Sequence, residues 1–122
     1  MNWYIAKLVF QVISGDGLHA PQFDEQWRLI KADEIIWAHE KARVLGWLEQ
    51  GRFDAEHQRK VEWRFIEVAE IQQITTMEDG VQLYSTTEEP PDANAYVELV
   101  RIRGQKSLGL AQNRELELLG RA

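Results

Sequence analysis

Three stretches of the chain, Trp3 to Ile13, Glu25 to Ala32 and Val61 to Thr75, have the composition of β-strands but carry large apolar side chains on both faces. Side chains alternate across a strand, so a sheet covered on one side by a helix should be polar on the other. In the first stretch Tyr4, Ala6, Leu8, Phe10 and Val12 face one way, while Trp3, Ile5, Val9 and Ile13 face the other. The second face needs a cover, which the rest of the chain, a second copy or a ligand could supply.

A chain of 122 residues has room for one domain with a single core. Its 44% hydrophobic and 28% charged residues are ordinary globular values, which argues against disorder and fibrous architectures. A net charge of −6 opposes the counterion release that drives nonspecific nucleic-acid binding. The densest basic stretch, Arg101, Arg103 and Lys106, reads as a solvated strand end, so no nucleic-acid partner is expected. Without cysteine the chain has no disulfide, no thiolate metal site and no cysteine nucleophile. Its first residues carry no basic leader, and Lys7 and Gln11 interrupt the apolar run, so neither a signal peptide nor a membrane span is expected and the cytoplasm is the expected compartment.

Along the chain, Ser14-Gly15-Asp16-Gly17 ends the first strand in a turn, and a second strand beginning near Glu25 completes an antiparallel hairpin across a loop of about nine residues. Asp33 reads as the N-cap of a helix from Glu34 to Gln50, with Gly51 as its stop. At helical spacing Ile35, Trp37, Ala38, Ala42, Val44, Leu45 and Leu48 form a broad arc expected to pack on the sheet. Arg52 to Lys60 reads as a solvated connection. A third strand, Val61 to Thr75, turns through Met77-Glu78-Asp79-Gly80 into a fourth at Val81 to Thr86. Proline donates no backbone hydrogen, so Pro90-Pro91 interrupts the ladder before a fifth strand at Tyr96 to Ile102, and Leu116, Leu118 and Leu119 read as a short closing helix. The expected fold is a single α+β domain, a mainly antiparallel sheet of about five strands in the order β-β-α-β-β-β with one main helix on one face.

Trp3-Tyr4 and Ala6-Lys7-Leu8 in the first strand, Trp63-Arg64-Phe65, Val68, Ile71 and Ile74 in the third, then Asp79-Gly80 and Tyr84-Ser85, form a pattern that resembles the bacterial domain-of-unknown-function family 4288 over roughly residues 1–85. The resemblance implies the architecture and a bacterial context. It implies no activity and no site residues, because its motifs are strand signatures.

His19, His39 and His57 have no metal-pair spacing; Arg43 occupies the position four after His39 where a zinc-protease helix would hold a second ligand, and no metal or cofactor is expected. No spacing singles out a carboxylate pair for catalysis; Glu67 and Glu70, on opposite faces of the third strand, are the better candidates. Alternation puts Glu67 on one face of the third strand with Trp63, Phe65, Ala69 and Ile71, where a carboxylate needs either a partner such as Lys7 or a water-filled cavity. Five tryptophans form an unusually large set. Trp47 and Ile36 fall outside the helix's packing arc, and Ile36, Glu40, Arg43 and Trp47 make a stripe suited to partner contact, although Ile36 could equally staple the helix start and Trp47 pack under residues 52–60.

The reading that best uses the surplus apolar surface is a non-enzymatic protein-interaction module that self-associates, with a dimer as the expected species. A second reading makes the surplus the lining of a small-ligand pocket, with Trp3, Trp63 and Phe65 contacting an aromatic or apolar ligand and Lys7, Arg28 or Glu67 orienting it. A third is an acidic inhibitor or immunity-type protein that binds a basic partner.

Overall fold

The computed structural model describes residues 1–55 and 59–120, with side chains for all of these except 52–55 and 59. The chain divides into two compact units, Met1–Ser85 and Thr86–Ala122.

The first unit is a four-stranded antiparallel sheet with one helix. Its elements are β1 (Asn2–Ser14), β2 (Gln22–Ala32), α1 (Ile35–Glu49), β3 (Gly51–Ala55) and β4 (Arg59–Ile74). The strand order is β2-β1-β4-β3, which makes the most apolar strand central. The expected β1–β2 hairpin forms, in a register running from Asn2 opposite Ala32 to Val12 opposite Gln22. His19 pins the connecting loop: its Nε2 accepts from the Ser14 amide at 3.0 Å, which leaves Nδ1 to carry the proton and donate to the Ala20 carbonyl at 2.7 Å.

Tyr4, Ala6, Leu8 and Phe10 of β1 are buried under α1 together with Ile30 and Ala32 of β2 and Phe65 and Val68 of β4. The helix meets this face through Ala38, Ala42 and Gly46, spaced four apart and all buried. A methyl group on Gly46 would overlap the Phe65 ring, so the absence of a side chain sets how closely helix and sheet approach. The broad packing arc expected from the sequence narrows accordingly. Leu45 packs against the core, but Ile35, Trp37, Val44 and Leu48 are exposed.

Other expectations change as well. The cap of α1 is Glu34 in extended conformation, with no side-chain capping bond, rather than Asp33. The stretch expected as a solvated connection contains β3, which pairs with β4 from Gly51 opposite Trp63 to Ala55 opposite Arg59; its central residues, His57 included, lie outside the described set. The turn before Val81 forms, with Gly80 at a φ of 84° and the Val81 amide bonded to the Glu78 carbonyl, but residues 81–86 form no strand and residues 75–92 are irregular.

The fifth expected strand and the short closing helix are replaced in the second unit by one helix, α2 (Ala93–Gly120), of 28 residues. Asp92 caps it: the carboxylate accepts from the Ala95 amide at 3.1 Å and the carbonyl from the Tyr96 amide. Among the described residues no helix is long and apolar enough to cross a membrane.

Because Gly46 and Phe65 occupy one another's space, Gly46→Ala should destabilise the protein by about 2 kcal/mol through overpacking. Combining it with Phe65→Leu should cost less than the sum of the two single changes. Urea unfolding of the four proteins measures this, and strict additivity would mean that the ring and the glycine are not in contact.

Candidate interaction surface

Two irregularities in β4 decide which side chains meet. Lys7 pairs with Glu70 and Leu8 with Val68, which leaves Ala69 unpaired; Val9 pairs with Glu67 and Phe10 with Phe65, which leaves Ile66 unpaired. Each extra residue offsets the alternation by one. Phe65, Val68 and Ile71 therefore all reach the helix side at intervals of three instead of two. Glu67 consequently does not share a face with Ala69 and Ile71 as simple alternation implies. Its Oε1 accepts from the Val68 amide at 3.0 Å and lies 3.5 Å from Arg43 Nε on α1.

Arg43 gathers the predicted helical stripe. Its Nη1 donates to Glu40 Oε1 at 3.0 Å, and its guanidinium lies 4.8 Å from the centre of the Trp47 ring. The Nε is shielded from solvent and makes no hydrogen bond among the described residues. With Ile36 exposed at the helix start, the stripe Ile36, Glu40, Arg43, Trp47 is one continuous surface, joined by Glu67 from the sheet. Around the helix it continues into Trp37, Val44 and Leu48, which are 63%, 45% and 77% exposed. A shallow groove of about 320 Å³ lined by Ile35, Ile36, His39, Glu40 and Ile71 extends it toward the sheet edge. The sequence placed Trp37, Val44 and Leu48 in the packing arc, so their part in this surface was missed. Their bulk beside Ala38, Ala42 and Gly46 was the available signal.

The opposite face of the sheet holds a separate cluster. Lys7 lies 3.2 Å from Glu25 Oε1 and 5.5 Å from the centre of the Trp27 ring. Tyr84 packs on Trp27 with ring centres 4.5 Å apart, so the irregular segment supplies part of the cover that this face requires. Trp3, Ile5, Val9 and Ile13 are half-buried there, and Lys31 sits over the Trp3 ring. Glu70, opposite Lys7, keeps Oε2 out of solvent with no hydrogen bond to it among the described residues. The pairing of Lys7 with Glu67 expected from the sequence is therefore replaced by pairing with Glu25. The hydrogen bond that Lys7 donates to Glu25 raises the Lys7 pKa above its ordinary 10.5; partial burial opposes this, and the negative charges of Glu25 and Glu70 and the neighbouring Tyr84 add to it.

The aromatic pocket does not assemble from its expected parts. Trp63 and Phe65 pack on Phe10 beneath the helix, with ring centres 6.1 and 5.5 Å away, while Trp3 occupies the other face. Arg28 is on the helix side, bonded to Gln26 and to the Glu49 carboxylate at the end of α1, and so does not join Lys7. Among the described residues no group of three or more histidine, cysteine or acidic side chains is placed to hold a metal ion.

Because the folded-state pKa of Lys7 is raised, the stability contributed by its pairing is present in full below pH 10.5 and is lost as pH rises through the folded value. In an NMR titration of the lysine side chains, Lys7 should deprotonate above 10.5, and Glu25→Gln should bring it down toward that value. An unchanged midpoint in the variant would rule out Glu25 as the main cause.

No curated protein and no solved structure matches the chain. The family model described as a domain of unknown function (DUF4288) matches residues 3–85, ending where the first compact unit ends. That span is well over half of the 122 residues, and the chain belongs to this family.

Proposed function

We propose that this protein is a non-enzymatic interaction module of the bacterial cytoplasm, and that it self-associates through the outer face of α1. The observation that carries this reading is the exposure of Ile36, Trp37, Val44, Trp47 and Leu48 on one short helix. Contiguous apolar surface of this kind is rare on monomeric proteins unless it meets a partner. Tryptophan and arginine are also the residues that dominate binding energy at interfaces, and here Arg43 is already held against Trp47 by Glu40 and Glu67. A ligand pocket is the weaker reading because its aromatic residues are divided between the two faces of the sheet.

In sedimentation velocity at micromolar concentration the wild type should run as a dimer. Trp47→Ala should weaken it about thirtyfold, the effect of losing a contact of about 2 kcal/mol, and Leu48→Lys should do so at least as strongly. Both sites are exposed in the single chain, so the thermal stability of the dissociated variants should stay close to that of the wild-type fold. A wild type that is monomeric throughout would remove the proposal.

A further inference from the structure

Helix α2 is long enough to need a partner, and its own charge pattern indicates which. None of its residues is buried. A single helix in water gains too little from its backbone hydrogen bonds to be secure; packing of an apolar face normally supplies the rest. At about 100° per residue, Tyr96, Val97, Val100, Leu108, Ala111 and Leu118 fall on one stripe centred near Val100, and each of the large ones is exposed.

The charges flanking this stripe are unevenly distributed. The first half of α2 carries Arg101, Arg103 and Lys106 against Glu98, while the second carries Glu115 and Glu117 against Arg114. A parallel pair of such helices would set each half against its own copy, basic on basic and acidic on acidic. An antiparallel pair sets the basic half against the acidic half. The angular positions agree with this. Arg101 and Glu115 lie on the same flank of the stripe, about 100° and 60° from Val100, and Arg103 and Glu117 lie together on the other flank, about 60° and 100° away. In an antiparallel pair related by a two-fold axis, residues on the same flank face one another, so both pairs form twice. The register that brings them within reach also places Val100 opposite Leu118 and Arg114 opposite Gly104, which has no side chain to obstruct it.

We infer that α2 docks against α2 of a second copy of this chain in antiparallel orientation, with Arg101 facing Glu115 and Arg103 facing Glu117 across the two-fold axis. The inference rests on the self-association proposed above but assigns it a second, separate contact.

The chain has no cysteine, so introduced thiols report only the contact being tested. A mixture of full-length Val100→Cys and Leu118→Cys proteins should form a disulfide-linked heterodimer on mild oxidation, and Val100→Cys alone should not link to itself. Reversing the basic half with Arg101→Glu and Arg103→Glu should raise the dimer dissociation constant at least about tenfold, and adding Glu115→Arg and Glu117→Arg to the same chain should restore it. Linking of Val100→Cys to itself would overturn the antiparallel orientation. A dimer that responds to Trp47→Ala but not to the charge reversals would overturn the α2 contact and leave the α1 reading standing, whereas a monomeric wild type would overturn both.

Discussion

The contact on which the first unit depends is the one between the small-residue stripe of α1 and the bulky centre of the sheet. Ala38, Ala42 and Gly46 bring the helix backbone down onto Tyr4, Ala6, Leu8, Phe10 and Phe65. The sheet supplies most of the side-chain volume in this core, and the helix supplies room for it. A helix that contributes methyl groups and a bare α-carbon buries only a narrow strip of its surface. Its larger residues must then stand to either side of the strip or behind it. The exposed Trp37, Val44, Trp47 and Leu48 follow from this geometry, since a helix seated so closely leaves no room between its backbone and the sheet for large side chains of its own.

The two unpaired residues of β4 have an equally broad effect. By admitting Ile66 and Ala69, the strand brings Phe65, Val68 and Ile71 to the same side and sets Glu67 opposite Val9. Glu70 remains on the opposite side, facing Lys7. Val9 and Lys7 share the far face of β1, so the register gives Glu67 and Glu70 the same side, and the Glu67 carboxylate reaches from there to Arg43. Without the offsets, alternation would have directed one of the inward apolar residues to the far side and left an acidic side chain in its place under the helix, where the loss of hydration makes an unpaired carboxylate costly.

This also explains where sequence reading succeeds and where it fails. β1 and β2 alternate without interruption, so their faces, pairing and register direction were legible from residue order. Counting by twos along β4 gives the wrong neighbours after the first bulge, and the bulged residues Ile66 and Ala69 have no turn chemistry to mark them. On α1, periodicity locates the helix but hydrophobicity does not give its depth: the buried residues are the smallest ones, Ala38, Ala42 and Gly46, because close approach to the sheet selects for size. The stripe Ile36, Glu40, Arg43, Trp47 was legible because it depends only on helical spacing. The error beyond Asp92 has a different cause. Tyr96 to Ile102 is rich in β-formers over a short window, but the repeat that continues from Val100 through Leu108 and Ala111 to Leu118 has the period of a helix, and Asp92 after two prolines is a capping signal as good as the one sought at Asp33.

The two exposed helical surfaces differ in what they can accept. The outer face of α1 presents indole rings and a guanidinium already fixed by two carboxylates, so little side-chain freedom remains to be lost when it is covered, and its large flat groups suit a partner surface of complementary shape. The stripe on α2 is mainly aliphatic, with Gly104, Ser107 and Ala111 along its middle, which allows another helix backbone to approach closely over several turns. Charge adds direction to the α2 surface, because its basic and acidic halves distinguish one orientation of a partner helix from the other. On α1 the charges of Glu40, Arg43 and Glu67 largely satisfy one another and leave selection to shape. The family match ends at residue 85, so the outer face of α1 lies inside the matched segment and α2 lies beyond it. On the antiparallel pairing proposed for α2, sequence changes that alter its charge pattern would leave untouched the packing of Gly46 on Phe65 that holds the first unit together.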